Sequence, residues 1–143
     1  MIIAIDGLAG SCKSFTAELV AKRLKFSYFT TGKMYRAITR YVIENNMVSN
    51  LPESLNKIID TIDISVQGVN FDKIIINNKD YSDGLYSEKI NNHISIISSM
   101  PSVRFKMVKI QREVANNNNI VCEGRDIGTV VFPNADYKFY FKA

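Results

Sequence analysis

One short stretch constrains this chain more than any other. Met1-Ile2-Ile3-Ala4-Ile5-Asp6 reads as a buried strand that runs straight into Gly7-Leu8-Ala9-Gly10-Ser11-Cys12-Lys13-Ser14. The second segment is one residue away from a phosphate-binding loop, G-x-x-x-x-G-K-[ST]; Cys12 stands where the second glycine belongs. An amphipathic segment follows, with Ala17, Val20, Ala21 and Leu24 at helical spacing. Strand, glycine loop and helix in that order define an α/β domain with a parallel sheet.

The loop chemistry follows from desolvation. A polyphosphate loses water when it binds, so many hydrogen bonds must be replaced at once. Backbone N–H groups of a glycine-rich turn and the positive end of a helix do this. In such a loop Gly7, Ala9, Gly10, Ser11 and Cys12 line the phosphates. Lys13 reaches the terminal phosphates as a point charge, and the Ser14 hydroxyl sits on Mg²⁺. Cys12 adds a Cβ to this turn. If φ is positive there, the strain is roughly 1–2 kcal/mol; if ligand lies against it, the cost is a clash. Both alternatives stand at this level.

The rest of the chain alternates. Phe26 to Thr30 reads as a second strand, and Thr31-Gly32 opens a helix over 33–46 with Met34, Ile38 and Val42 on its apolar face. Leu51-Pro52 interrupts, and a short helix is expected over 53–61. Residues 62–82 read as a small antiparallel insert, with turns near Gln67-Gly68 and Asn77-Asn78. Ile90, Ile94 and Ile97 mark a helix that Met100-Pro101 ends, and Pro101 starts the next, closed by the asparagine run 116–119. Ile120-Val121-Cys122 and Tyr137 to Phe141 are buried-strand patterns. Between them lies Glu123-Gly124-Arg125-Asp126-Ile127-Gly128-Thr129, at the carboxyl end of a strand, where open α/β sheets place their ligands.

Bulk properties narrow the class. The net charge of +4 comes without any basic tract, so nucleic-acid binding is not expected. No apolar run approaches membrane-spanning length, and the apolar start carries Asp6, unlike a signal peptide. A cytoplasmic monomer is expected. Cys12 and Cys122, placed at the ends of neighbouring strands, would stay reduced there. Arg36, Arg104 and Arg125 are candidate grips on an anionic acceptor, because a guanidinium holds phosphate bidentately. Asp126 is a candidate partner for a base amine or a metal-bound water.

These residues resemble the bacterial cytidylate kinases, a branch of the P-loop nucleoside monophosphate kinases. The resemblance spans nearly the whole chain. It rests on Ile3-Ala4-Ile5-Asp6-Gly7 with the loop, on Thr31-Gly32-Lys33-Met34-Tyr35-Arg36, and on Glu123 through Asp136, Glu-Gly-Arg-Asp-Ile-Gly-Thr-Val-Val-Phe-Pro-Asn-Ala-Asp. It implies a three-layer α/β/α domain with parallel strands ordered 2-3-1-4, and a monophosphate-binding role for the antiparallel insert. It implies transfer of phosphate from ATP, with Mg²⁺, to CMP or dCMP. Ala9 to Ser14 would bind ATP; Thr31, Tyr35 and Arg36 would contact the ribose and phosphate of CMP. Ser95, Arg104 and Asp126 would recognise cytosine, and Arg125 would grip the CMP phosphate. Lys13, Arg125 and Asp126 would be catalytic.

Cys12 departs from the family pattern, as do Leu8, where a proline is usual, and Thr30, where an acid is usual. The family also continues past Phe141 into an arginine-rich lid, a last core strand and a closing helix. By that resemblance the chain is expected to lack them and to show an apolar sheet edge at Tyr137 to Phe141. A catalytically impaired nucleotide-binding remnant is therefore the second reading.

Overall fold

The computed structural model describes residues 1–142. In chain order the elements are β1 (Ile2–Gly7), α1 (Lys13–Leu24), β2 (Ser27–Thr30), α2 (Gly32–Glu44), a 3₁₀ turn (Val48–Asn50) and α3 (Glu53–Asn56). Then come β3 (Ile64–Gln67), β4 (Lys73–Ile76), β5 (Lys79–Asp80), α4 (Glu88–Ser98), α5 (Pro101–Ala115), β6 (Ile120–Gly124), a π-helical turn (Ile127–Val131) and β7 (Tyr137–Phe141). They form two compact units, one of Met1–Thr31, Val69–Phe71 and residues 111–142, the other of Gly32–Gly68 and Asp72–Ile110.

The first unit is built on a parallel sheet in the order β2-β6-β1-β7. Counting only its own strands, that is the expected 2-3-1-4. β1 pairs with β6 from Ile2↔Ile120 to Asp6↔Gly124, and with β7 from Ile3↔Tyr137 to Gly7↔Phe141. The two central strands are apolar until their carboxyl ends, as burial on both faces demands: Ala4, Ile5, Ile120, Val121 and Cys122 are all buried. α1 lies on the sheet through Ala17 and Ala21, which pack with Ile3, Ile5 and Val121. Small side chains at those two positions let the helix approach closely. Leu24, expected on the same face, is instead exposed in the last turn. β7 is an edge strand, and Tyr137, Phe139 and Tyr140 on it are each more than half exposed. Cys122 sits in mid-strand rather than at a strand end, and Cys12 lies beyond β1, at the start of α1.

The second unit carries the three-stranded antiparallel sheet β3-β4-β5, with Ile64↔Ile76 and Ile76↔Lys79 in register. α2 buries Met34, Ala37, Ile38 and Val42, the i, i+3, i+4, i+8 stripe that its sequence shows. Full burial of a residue such as Ile38 contributes about 1.5–3 kcal/mol. α4 starts at Ser87, whose Oγ accepts the Ile90 N–H at 3.2 Å, a cap worth about 1 kcal/mol. α3 is a single turn, shorter than expected. The chain after it is tied down by Lys106, whose ammonium donates to the carbonyls of Ile59 and Ile62.

Candidate functional site

The glycine loop joins β1 to α1 at the carboxyl end of the parallel sheet. Its first turn is closed by Leu8, whose carbonyl accepts from Ser11 N–H at 3.3 Å, Ser11 Oγ at 2.7 Å and Lys13 Nζ at 3.3 Å. Gly7 sits where no side chain fits: a Cβ there would lie 2.7 Å from the Phe141 carbonyl oxygen on β7. Cys12 adopts φ 61°, ψ 16°, the left-handed region, and is exposed. The departure from glycine therefore carries a backbone strain of roughly 1–2 kcal/mol. α1 begins at the next residue, so its positive end stands directly behind the loop.

Glu123 is the penultimate residue of β6, the strand beside β1. Its carboxylate accepts the Ser14 hydroxyl at 3.0 Å and the Tyr28 hydroxyl at 3.3 Å, and lies 4.0 Å from Lys13 Nζ. Its side chain is only 6% exposed, and that of Lys13 only 12%. A carboxylate this buried is stable only because donors and a cation surround it. Burial pushes the Tyr28 phenol above its ordinary value, and the Glu123 charge adds to that.

Asp6, the last carboxylate of β1, organises the other side. It is buried and accepts the backbone N–H of Ile127 at 2.7 Å and of Gly128 at 2.8 Å. This pins the π-helical turn that follows Arg125 and Asp126. The Asp126 carbonyl in turn accepts from Val130 and Val131 N–H. Gly124 must be glycine here, since a Cβ would meet Thr31 Oγ1 at 2.6 Å and Ile127 Cδ1 at 2.7 Å. Thr31 is buried and bonds the Glu123 carbonyl through both N–H and Oγ1. Arg125 is exposed and Asp126 half-buried.

In the second unit, Tyr35 and Arg36 stand in the first turns of α2. Arg36 Nη1 donates to the Leu85 carbonyl and to Asn91 Oδ1, each at 2.9 Å, and its guanidinium carbon lies 4.5 Å from the centre of the Tyr86 ring. Ser95 is exposed on α4, one turn beyond Asn91. Arg104 Nη1 donates to the Ser98 carbonyl at the end of the same helix. α4 is thus the common partner of Arg36 and Arg104. The first unit gathers Gly7 to Ser14, Thr31, Arg125 and Asp126; the second gathers Tyr35, Arg36, Ser95 and Arg104.

Sequence reasoning gave no role to Glu123, Asp6, Tyr28, Asn91 or Tyr86. For Glu123 and Asp6 a signal existed, a carboxylate at the carboxyl end of a buried parallel strand. For Tyr28, Asn91 and Tyr86 none did, because their importance comes from partners far along the chain.

A parallel sheet with a lysine-bearing glycine loop at its carboxyl end, facing a buried acid on the adjacent strand, defines the P-loop class of nucleotide-binding α/β proteins. The chain belongs to the cytidylate kinase family, whose family model matches residues 3–143. It is 43% identical to a cytidylate kinase of Fusobacterium nucleatum over 143 residues, covering 100% of this chain and 64% of that protein. It is 41% identical to one of Clostridium botulinum over 99% of this chain and 64% of that protein. With one of Halalkalibacterium halodurans the identity is 42%, over 100% of this chain and 65% of that protein. The chain thus spans about 64% of the length of the curated relatives it matches. No helix among the described residues is long and apolar enough to cross a membrane.

Proposed function

We propose that this chain transfers the terminal phosphoryl group of ATP to CMP or dCMP, giving ADP and CDP or dCDP. The observation that carries the reading is the convergence of Lys13 and Ser14 on Glu123 at the carboxyl end of the sheet. Phosphoryl transfer needs little covalent help; it needs in-line positioning and neutralised charge. The loop from Gly7 to Ser14 supplies backbone N–H donors, and α1 adds its dipole. Lys13 then meets the terminal phosphates. Ser14 and Glu123 offer hard oxygen donors of the kind Mg²⁺ prefers, Ser14 directly and Glu123 beside it. Among the described residues no cluster of three or more His, Cys, Asp or Glu forms. Ser14, with Glu123 beside it, would hold the ion, which would supply positive charge against the phosphates.

For the acceptor, Arg36 and Arg125 would hold the CMP phosphate, with Thr31 and Tyr35 along the ribose and phosphate. Ser95, Arg104 and Asp126 would read cytosine. The antiparallel sheet β3-β4-β5 would belong to this monophosphate-binding part. Lys13, Arg125 and Asp126 would act in catalysis. A monomer in the cytoplasm, with free nucleotides as its partners, completes the reading.

Cys12 at φ 61° favours a second reading, a nucleotide-binding chain without turnover. One assay separates the two: ADP formation from Mg-ATP with CMP, dCMP, UMP or AMP, with the full-length F. nucleatum relative as control. Turnover selective for CMP or dCMP is expected. A folded chain that binds ATP and CMP and forms no ADP supports the second reading. Preference for UMP or AMP overturns the acceptor assignment.

A further inference from the structure

Arg36 is not held as a loose surface cation. Its two hydrogen bonds both leave from Nη1, to the Leu85 carbonyl and to Asn91 Oδ1, each at 2.9 Å. The Arg36 Cζ lies over the Tyr86 ring, 4.5 Å from its centre. Two acceptors on one nitrogen restrict the rotation of the group, and the ring packs against its carbon. The Nε and Nη2 hydrogens, which form the side edge of the fork, make no hydrogen bond to any described residue. That edge is the one that matches two oxygens of a phosphate.

The anchors also form a local unit. Leu85 is buried just before α4, Ser87 caps that helix, and Asn91 lies one turn inside it. The order of α4 is thereby transmitted to a side chain on α2. A free arginine loses several rotors when it grips a ligand; one already locked loses few, and the saving appears as affinity.

We infer that Asn91 and Tyr86 are positioning residues, which hold the Arg36 guanidinium with its Nε–Nη2 edge ready for the phosphate of the acceptor nucleotide. This rests on the reading of Arg36 as a grip on the CMP phosphate. It adds a discrimination: losing either anchor should weaken a nucleotide and leave the matching nucleoside unaffected.

The test is a titration of the chain with CMP and with cytidine, in the wild type and in Arg36→Ala, Asn91→Ala, Tyr86→Leu and Tyr86→Phe. Arg36→Ala is expected to weaken CMP by more than about tenfold, since a charge-assisted pair is lost. Asn91→Ala should weaken CMP by about fivefold and Tyr86→Leu by about threefold, the scale of one hydrogen bond and one exposed cation–π contact. Cytidine should bind unchanged throughout, and Tyr86→Phe should restore the affinity for CMP. A second readout needs no ligand: hindered rotation of the Arg36 Nη groups, seen by nitrogen NMR, should become fast in Asn91→Ala. If Arg36→Ala leaves CMP affinity intact, or the wild type does not bind CMP, the underlying reading fails. If Arg36→Ala weakens CMP while Asn91→Ala and Tyr86→Leu do not, the positioning inference alone fails. Equal loss of CMP and cytidine in the anchor variants, or Arg36 rotation unchanged by Asn91→Ala, also overturns it.

Discussion

The Ser14 hydroxyl donates a 3.0 Å hydrogen bond to the carboxylate of Glu123, a residue 109 positions later in the chain. The bond joins the end of the glycine loop to the end of β6, and Lys13 sits beside it. Glu123 therefore orients the two loop side chains that the proposed chemistry needs. A glutamine there keeps an oxygen that can accept from Ser14 but removes the counter-charge of Lys13 and turns one acceptor into a donor. Glu123→Gln should lower turnover by about 10–100-fold, the usual scale for a residue that orients metal and phosphate ligands. Steady-state kinetics over a Mg²⁺ series checks this; an unchanged kcat at every concentration would remove Glu123 from the site.

Cys12→Gly tests the strained turn. Glycine removes the left-handed penalty of roughly 1–2 kcal/mol and restores some freedom to the unfolded chain, worth up to about 1 kcal/mol. The net expectation is a gain of about 1 kcal/mol, read as a higher urea midpoint at constant slope. ATP affinity should rise as well. An unchanged affinity would show that the loop conformation does not limit binding.

Gly124→Ala tests a close approach instead. The added methyl would lie 2.6 Å from Thr31 Oγ1 and 2.7 Å from Ile127 Cδ1, in a buried corner that carries the Glu123 carbonyl bonds. Overpacking of this kind costs about 1–3 kcal/mol. Thermal unfolding should report that loss, and wild-type stability would show that Thr31 and Ile127 can move aside.

Alkaline pH should destabilise the fold through one buried and one half-buried group. Burial, with the charges of Glu123, Asp6 and Asp126, raises the Cys122 thiol well above its ordinary 9.0. Burial and Glu123 likewise raise the Tyr28 phenol above its ordinary 10.0. Above those ordinary values the unfolded chain releases protons that the folded chain retains. Stability then falls as pH rises, by up to about 1.4 kcal/mol per pH unit for each group, and below pH 9 neither contributes. Denaturation midpoints between pH 7 and 11 measure the slope. Cys122→Ala should flatten its first part, and an unaltered slope in that variant would acquit the thiol.

The comparison of sequence and structure divides along the range of the interactions. β1 with its loop, the amphipathic stripe of α2 and the start of α5 at Pro101 were legible, because each is written in neighbouring residues at strand or helix spacing. The strand order 2-3-1-4 came from resemblance rather than from periodicity. α3 is shorter than the helical pattern of Ile58 and Ile59 suggests, because the chain turns after Asn56 and its Ile59 carbonyl accepts from Lys106. Cys122 ends the apolar run of its strand in the sequence, whereas in the sheet it pairs with Ala4 in mid-strand.

By itself the sequence determined that a phosphate loop follows a buried strand, that a helix backs it, and that one loop residue breaks the pattern. Only the tertiary structure decided that Cys12 lies at positive φ, that Glu123 receives Ser14 and Tyr28, that Asp6 pins the turn after Asp126, and that Asn91 and Tyr86 hold Arg36. The reason is physical: backbone periodicity is a local property of the chain. Which donor meets a buried carboxylate, or which acceptor fixes a guanidinium, depends on strands and helices brought together across 100 residues or more in one case and 55 in the other.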